Sequence, residues 1–322
     1  MEKRLDIDFS IAKEENITVS SRFDIWLKEY KQNSVKASTY ETYKRIFKGL
    51  VAPVLGNKKL KDIRPEMVQK LINDLYKKGY SKTRVNIPYI LLLGMYKQAI
   101  KNGLVKNNPA EHINFPKYKT RIERRVLDLE EQKIFMQYAK ESRYYDFYAI
   151  ALNTGMRCNE IIALQWTDIN FKGKIISVSG TLVYVRSVRK RFKDTPKTSS
   201  SYRDIPIHEQ TENLLKLIRK NQMECKLMMG DKWQQDKGLD NLIFTNEFGK
   251  AVWDTCIRND INRISKQSFR HTFATRGLEN GIKPKVMQTI LGHSTLAMTM
   301  DLYSHVLPDE KTKEMEKMPA IF

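Results

Sequence analysis

Five short motifs carry side chains that can grip an anion, move a proton or act as a nucleophile. Thr154-Gly155-Met156-Arg157-Cys158-Asn159-Glu160 places Arg157 after a glycine turn, at the expected start of a helix. Thr195-Pro196-Lys197-Thr198 places Lys197 in a basic turn between strands. Gln267-Ser268-Phe269-Arg270-His271-Thr272-Phe273-Ala274-Thr275-Arg276 sets Gln267 and Arg270 three residues apart, on one helix face. Leu291-Gly292-His293-Ser294 contributes a histidine, and Met298-Thr299-Met300-Asp301-Leu302-Tyr303-Ser304-His305 contributes Tyr303, ten residues past His293. Singly, each motif has an ordinary reading. An arginine at a helix start is usually a surface residue, a turn lysine is usually just solvated, and Tyr303 is one of 15 tyrosines.

These residues need a framework, and apolar periodicity outlines it. A first helix is predicted at 18–32, with Val19, Phe23, Trp26, Leu27 and Tyr30 on one face. Ser38 and Glu41 match a capping box for a second helix. Gly56 breaks the chain, Pro65 opens a third helix and Gly79 ends it. A fourth runs from about Lys82 to Asn102, with Pro88 expected to delay its start. The stretch from Asn107 to Arg125 holds two prolines and reads as a linker. Beyond it, Asp128 and Glu131 match a capping box for a helix reaching about Lys140. Further helices are predicted at 143–154 (closed by Gly155), from near Arg157, and at 208–229, 251–263, 267–280, 284–291 and 295–306. Alternating residues at 174–178, 181–188 and 203–207 predict a small antiparallel sheet, with one more short strand at 242–244. The fold class is therefore mainly α with a small antiparallel β-sheet. The expected domains are an N-terminal lead at 1–17, a helical domain at 18–105, a linker at 106–125, and an α+β domain at 126–322 with a tail from about residue 308.

Composition narrows the partners. The 322 residues carry 57 Lys and Arg against 37 Asp and Glu, a net charge of +20. Between residues 31 and 120 the balance is 19 against 5, or +14. A second basic cluster runs from Arg186 to Arg203, with Lys197 and one acid, Asp194, inside it; Arg186, Arg189, Lys190, Arg191 and Lys193 are its candidate DNA-binding residues. Charge this localised points to a polyanion such as a phosphate backbone. A membrane surface fits less well, and no apolar stretch is long enough to span a bilayer. The three cysteines, Cys158, Cys225 and Cys256, are too few and too scattered for a disulfide framework, which implies a reducing cytoplasm. Five histidines without a paired Cys motif argue against structural zinc.

The motifs occur in a recognisable order: Arg-x-x-Glu, Pro-Lys-Thr, Arg-His-Thr-Phe-Ala-Thr-Arg, Leu-Gly-His-Ser and Tyr-x-His. In that order, from about residue 126 to the end, the chain resembles the tyrosine recombinase (phage integrase) family. The first domain is similar to that family's four-helix core-binding domain. The phrase Ala297 to Tyr303 is most similar to integrases of Gram-positive integrative and conjugative elements.

The resemblance implies a site-specific recombinase that cuts and rejoins DNA through a 3′-phosphotyrosyl intermediate and a Holliday junction, integrating or excising a mobile element. It assigns Tyr303 as nucleophile, Arg157 and Arg270 as forks on the non-bridging oxygens, Lys197 as general acid and His293 as a hydrogen-bond donor. It implies no cofactor and no metal. The implied partners are double-stranded DNA at the element ends and target site, clasped by the two domains, and three further copies of the chain. The tail after Pro308 would dock between subunits. Accessory DNA-bending or directionality proteins are candidate partners, and the implied location is the bacterial cytoplasm, with the nucleoid. One position departs from the pattern: Gln267 stands where the family usually has His, and an amide can donate a hydrogen bond but cannot shuttle a proton. Residues 1–17 are too few to fold as the arm-binding domain that many such integrases carry first. Glu160 either supports Arg157 or lies on the helix surface. His271 reads as structural, His305 as a packing or capping residue, and His208 as a surface or capping residue. Two alternatives stay open. A type IB topoisomerase would relax DNA as a monomer, and a catalytically weakened DNA-binding regulator, suggested by Gln267, would bind without forming a covalent adduct.

Overall fold

The structure, a computed structural model, describes residues 16–118, 125–185, 190–194, 201–252, 257 and 266–303. The chain divides into two compact units. The first holds 16–118 and the second holds 125–184, 190–194 and the described residues from 201 onward.

The first unit is helical. Helix α1 (Val19–Trp26) is capped by Thr18, whose hydroxyl accepts from the Ser21 amide. It continues in a wider π-type segment over Leu27–Lys31. Helix α2 (Ala37–Ile46) likewise widens over Phe47–Gly56. Its cap position is Lys36, so the Ser38 capping box expected from the sequence does not form. Ser38 lies inside the first turn, where its carbonyl accepts from Thr42. Helix α3 (Pro65–Lys77) starts on Pro65, as read. Helix α4 (Lys82–Lys101) starts before Pro88 and runs through it, capped by Ser81. Val85, Pro88, Leu91 and Leu92 are all buried on that helix, so core packing outweighs the hydrogen bond the proline forfeits. The core collects these faces around Phe23, stacked on Phe47 at 3.6 Å, and Tyr96, whose hydroxyl donates to Leu60 O at 3.1 Å.

The described part of the stretch read as a linker, 106–118, is docked. Ala110 is fully buried, and Asn114 exchanges two 2.8 Å hydrogen bonds with Gln69. Phe115 and Tyr118 meet Tyr89 and Tyr76 edge-on. Aromatic and amide partners 26 to 45 residues upstream are what hold it.

The second unit mixes helices with two small sheets. Helix α5 (Leu129–Ala139) has the predicted capping box: Asp128 accepts from the Glu131 amide at 2.7 Å, and Glu131 accepts from the Asp128 amide at 3.1 Å. Helices α6 (Tyr145–Thr154) and α7 (Cys158–Ile162) follow. Strands β1 (Ile169–Asn170), β2 (Ile175–Val178) and β5 (Arg203–Pro206) form an antiparallel sheet in the order β1-β2-β5. Ile176 pairs with Ile205 and both point inward. Strands β3 (Thr181–Val185) and β4 (Lys190–Asp194) form a separate two-stranded sheet. Helices α8 (Glu209–Met229), α9 (Lys266–Glu279), α10 (Pro284–Leu291) and α11 (Leu296–Tyr303) complete the described chain. The strand expected at 242–244 is only a bridge from Leu242 to Gln165. Most of the helix expected at 251–263 lies outside the described residues, and Ala251 itself bridges to Thr245. Phe135, Tyr148 and Phe269 cluster at centroid distances of 5.2–5.6 Å, which seats α9 on α5 and α6.

Candidate active site

Two glycine turns build the site. Gly155 ends α6 with φ 61°, and Gly292 ends α10 with φ 65°, a left-handed conformation that favours glycine. Gly155 has a second constraint. A Cβ there would fall 2.3 Å from Phe273 Cδ1 and 3.0 Å from Leu291 Cδ2. The turn after α6 therefore lies hard against α9 and α10. Arg157 follows two residues later, at the cap position of α7, with its side chain 40% exposed.

Arg270 comes from α9, one residue after the buried Phe269. Its guanidinium is buried; it donates to Gly155 O at 2.9 Å and to Leu291 O at 2.5 Å. Burial, and then the nearby Arg157 charge, push its pKa down to about 9. It is still a cation at neutral pH. Arg157 donates to Gly292 O at 3.3 Å, and Arg203 from β5 donates through Nε to Ile290 O at 2.6 Å. Three arginines from three segments thus hold three successive carbonyls at the end of α10. That end carries the negative pole of the helix, so cations there are favourable.

Glu160 joins two of them. Its Oε1 takes Arg157 Nη1 at 2.7 Å and Arg203 Nη1 at 3.3 Å. Its Oε2 takes the Arg157 amide and Arg203 Nη2, both at 2.8 Å. Burial alone would raise this carboxyl's pKa, but the hydrogen bond and charge of Arg203, with those of Arg157, hold it below the usual range. Of the two sequence readings of Glu160, support of Arg157 is the one the structure bears out.

His293 follows Gly292 directly. It is buried, its Nδ1 lies 2.9 Å from Thr299 Oγ1, and its amide donates to Gln288 O. Thr299 is fully buried on α11. Helix α11 packs on α9 and α10 and ends at Tyr303. The side chain of Tyr303 and all of Lys197 lie outside the described residues, Lys197 in the segment between β4 and β5. So do Arg186, Arg189, the side chain of Lys190, and His305. Gln267 is exposed on α9, and His271 is half-buried. His208 occupies the cap position of α8 without a side-chain cap bond.

Two expected DNA-binding residues are engaged elsewhere. Lys193 pairs with Asp168 at 2.8 Å and donates to Gln165 Oε1 at 2.9 Å, with its side chain 18% exposed. Arg191 bonds Ala251 O and faces Asp236 at 3.4 Å. Alternation along β4 points both inward, where carboxylates take up their charge. Arg203 and Thr299 are the site residues that sequence reasoning missed. Arg203 looked like one more member of a basic run, and Thr299 sits inside the last motif without any mark of its own. Among the described residues no three His, Cys, Asp or Glu side chains converge as metal ligands, and no helix is long and apolar enough to cross a membrane.

Comparison with known proteins agrees with this arrangement. Residues 125–310 match the phage integrase family, and residues 18–76 match the phage integrase N-terminal SAM-like domain. The chain is 27% identical to a tyrosine recombinase XerC-like protein of Caldanaerobacter subterraneus, covering 99% of this chain and 85% of that one. It is 25% identical to the transposase from transposon Tn916 of Enterococcus faecalis, covering 89% and 75%. Among solved structures, the Tn1549 transposon integrase in complex with transposon right end DNA superposes with a TM-score of 0.75 at 23% identity, covering 94% of this chain and 99% of that one. A lambda integrase dimer bound to a core site gives 0.65 at 17%, covering 92% and 80%.

Proposed function

The chain belongs to the phage integrase family and is a tyrosine recombinase, and from that premise we propose that it cuts and rejoins duplex DNA through a covalent bond from Tyr303 to a 3′-phosphate. The phenolic oxygen attacks phosphorus, the bond to the 5′-oxygen breaks, and Lys197 protonates the departing oxygen. The phenol's own proton passes to solvent. A phenol with an ordinary pKa near 10 attacks at neutral pH only where positive charge stabilises the phosphorane. Arg157 and Arg270 supply that charge. Each spends two donors on the protein and keeps others for the non-bridging oxygens. His293, set by Thr299, adds a donor, and the Gln267 amide adds one more. A second DNA 5′-hydroxyl then attacks the phosphotyrosine, so bond energy is conserved and strands are exchanged rather than hydrolysed.

One observation supports this most: the end of α10 gathers Arg157, Arg270 and His293, which come from three distant motifs, and α11 carries Tyr303 from the same packed group. The same reading has the protein act as a homotetramer on two duplexes, passing through a Holliday junction to move a mobile element. In the test, the full chain is incubated with nicked suicide duplexes carrying candidate element ends. A covalent adduct that disappears in Tyr303→Phe is the expected result. Sequence-specific binding with no adduct in the wild type would overturn it.

A further inference from the structure

We infer that Arg203 is a positioning residue of this site, acting on Arg157 through Glu160. The inference takes from the recombinase reading what Arg157 does, but not how it is held. The Arg203 side chain is 2% exposed, and the partners found for it are internal: Glu160, Ile290 O and Ser201 O. It is shut away from any DNA phosphate. Its effect must pass through what it touches.

The carboxylate of Glu160 is shared between two guanidiniums. The Arg203–Glu160–Arg157 chain holds two positive charges and one negative charge. With Arg203 present, the net single positive charge falls at the exposed end, on Arg157. Without Arg203, Glu160 is neutralised by Arg157 alone. The exposed fork is then drawn inward and its charge is spent on the protein. Arg203 has a second hold on the site through Ile290 O, the first of the carbonyls that lead to Gly292 and His293. One buried side chain therefore sets both the charge on the Arg157 fork and the turn that presents His293.

The test uses the full-length protein. Single-turnover adduct formation at saturating DNA is measured for the wild type, Arg203→Met, Arg203→Lys and Arg203→Met/Glu160→Gln, alongside thermal stability and DNA affinity. Arg203→Met should bind DNA normally and form adduct about 100-fold more slowly, the loss expected of a misplaced catalytic group. The double variant removes the uncompensated carboxylate and should recover about tenfold of that rate without regaining thermal stability. Arg203→Lys keeps the charge but cannot span Glu160 and Ile290 O, and should fall between; if Arg203→Met fails to fold, this variant carries the comparison. Rates that simply follow thermal stability, with no recovery in the double variant, would overturn the proposal. A wild type that forms no adduct would sink the recombinase reading but leave this inference decidable by nitrogen-15 spectra of the arginine side chains. The Arg157 Nη signals, assigned by their loss in Arg157→Lys, should shift and stay separate in Arg203→Met, as Glu160 alone draws the fork inward. Signals unaltered by the loss of Arg203 would refute it.

Discussion

Replacing Gly155 by alanine tests the geometry of the site directly. Two costs add. The first is the left-handed φ of 61°, which costs a residue with a Cβ roughly 1–2 kcal/mol. The second is the clash: Phe273 Cδ1 at 2.3 Å and Leu291 Cδ2 at 3.0 Å must both give way, at roughly 1–3 kcal/mol for overpacking. The expected loss is about 2–5 kcal/mol, a large share of a typical domain stability of about 5–15 kcal/mol. Gly281 provides the control. Its φ is 81°, and nothing lies within 4 Å of the Cβ position, so Gly281→Ala should cost only the backbone part, about 1–2 kcal/mol. Function should separate the two variants further. Gly155 O holds Arg270, and Phe273 stands one helical turn beyond Arg270, so relief of the clash moves the fork itself. A displacement near 1 Å would slow adduct formation about 100-fold under conditions where the variant is still folded. Urea unfolding and single-turnover cleavage measure the two effects. If Gly155→Ala costs no more than Gly281→Ala, or cleaves at the wild-type rate, the two turns do not position the arginines as described.

Four other outcomes follow from the same contacts. Lys193→Ala should cost about 2 kcal/mol, less than a fully buried pair because both partners keep some exposure, yet leave the salt dependence of DNA binding unchanged; a slope lowered by about 1 would return Lys193 to the DNA contacts. Glu160 is held below its ordinary value of 4.5, so its contribution to stability is fully present above that pH and lost as pH falls below it. The stability gap between wild type and Glu160→Gln should therefore close on acidification, and a gap independent of pH would contradict the ion-pair account. Lys197→Ala should slow cleavage of ordinary DNA but be rescued when the 5′-oxygen is replaced by sulfur, a better leaving group; absence of rescue removes the lysine from the general-acid role. Gln267→His should keep or raise the cleavage rate, and a large loss would assign the exposed amide a different job.

Local signals were legible in the sequence wherever one element decides its own outcome. The Asp128 capping box, Pro65 at a helix start and the glycine end of α6 each depend on residues within a turn of one another. Signals that need a distant partner were not legible. Ser38 and Glu41 have the same spacing as Asp128 and Glu131, but the second helix starts two residues early, capped by Lys36, and the box is lost. Pro109 and Pro116 marked a linker, but not that its described part is docked, because the amide and aromatic rings that hold it lie elsewhere in the chain. Charge was the hardest to place. Arg191, Lys193 and Arg203 belong to one basic run, yet all three face carboxylates, with Glu160 43 positions before Arg203. Burial of a charge is decided by its counterion, and composition cannot reveal which counterion that is. The structure sets Arg157, Arg270 and His293 side by side at the end of α10; only the resemblance of the motifs pointed to that grouping, since Arg270 lies inside α9 with no local mark.

The stacked attachment of three guanidiniums along one helical terminus makes their losses interdependent. Fraying half a turn would release every one together, so paired substitutions among Arg157, Arg203 and Arg270 should cost much less than their separate penalties added up.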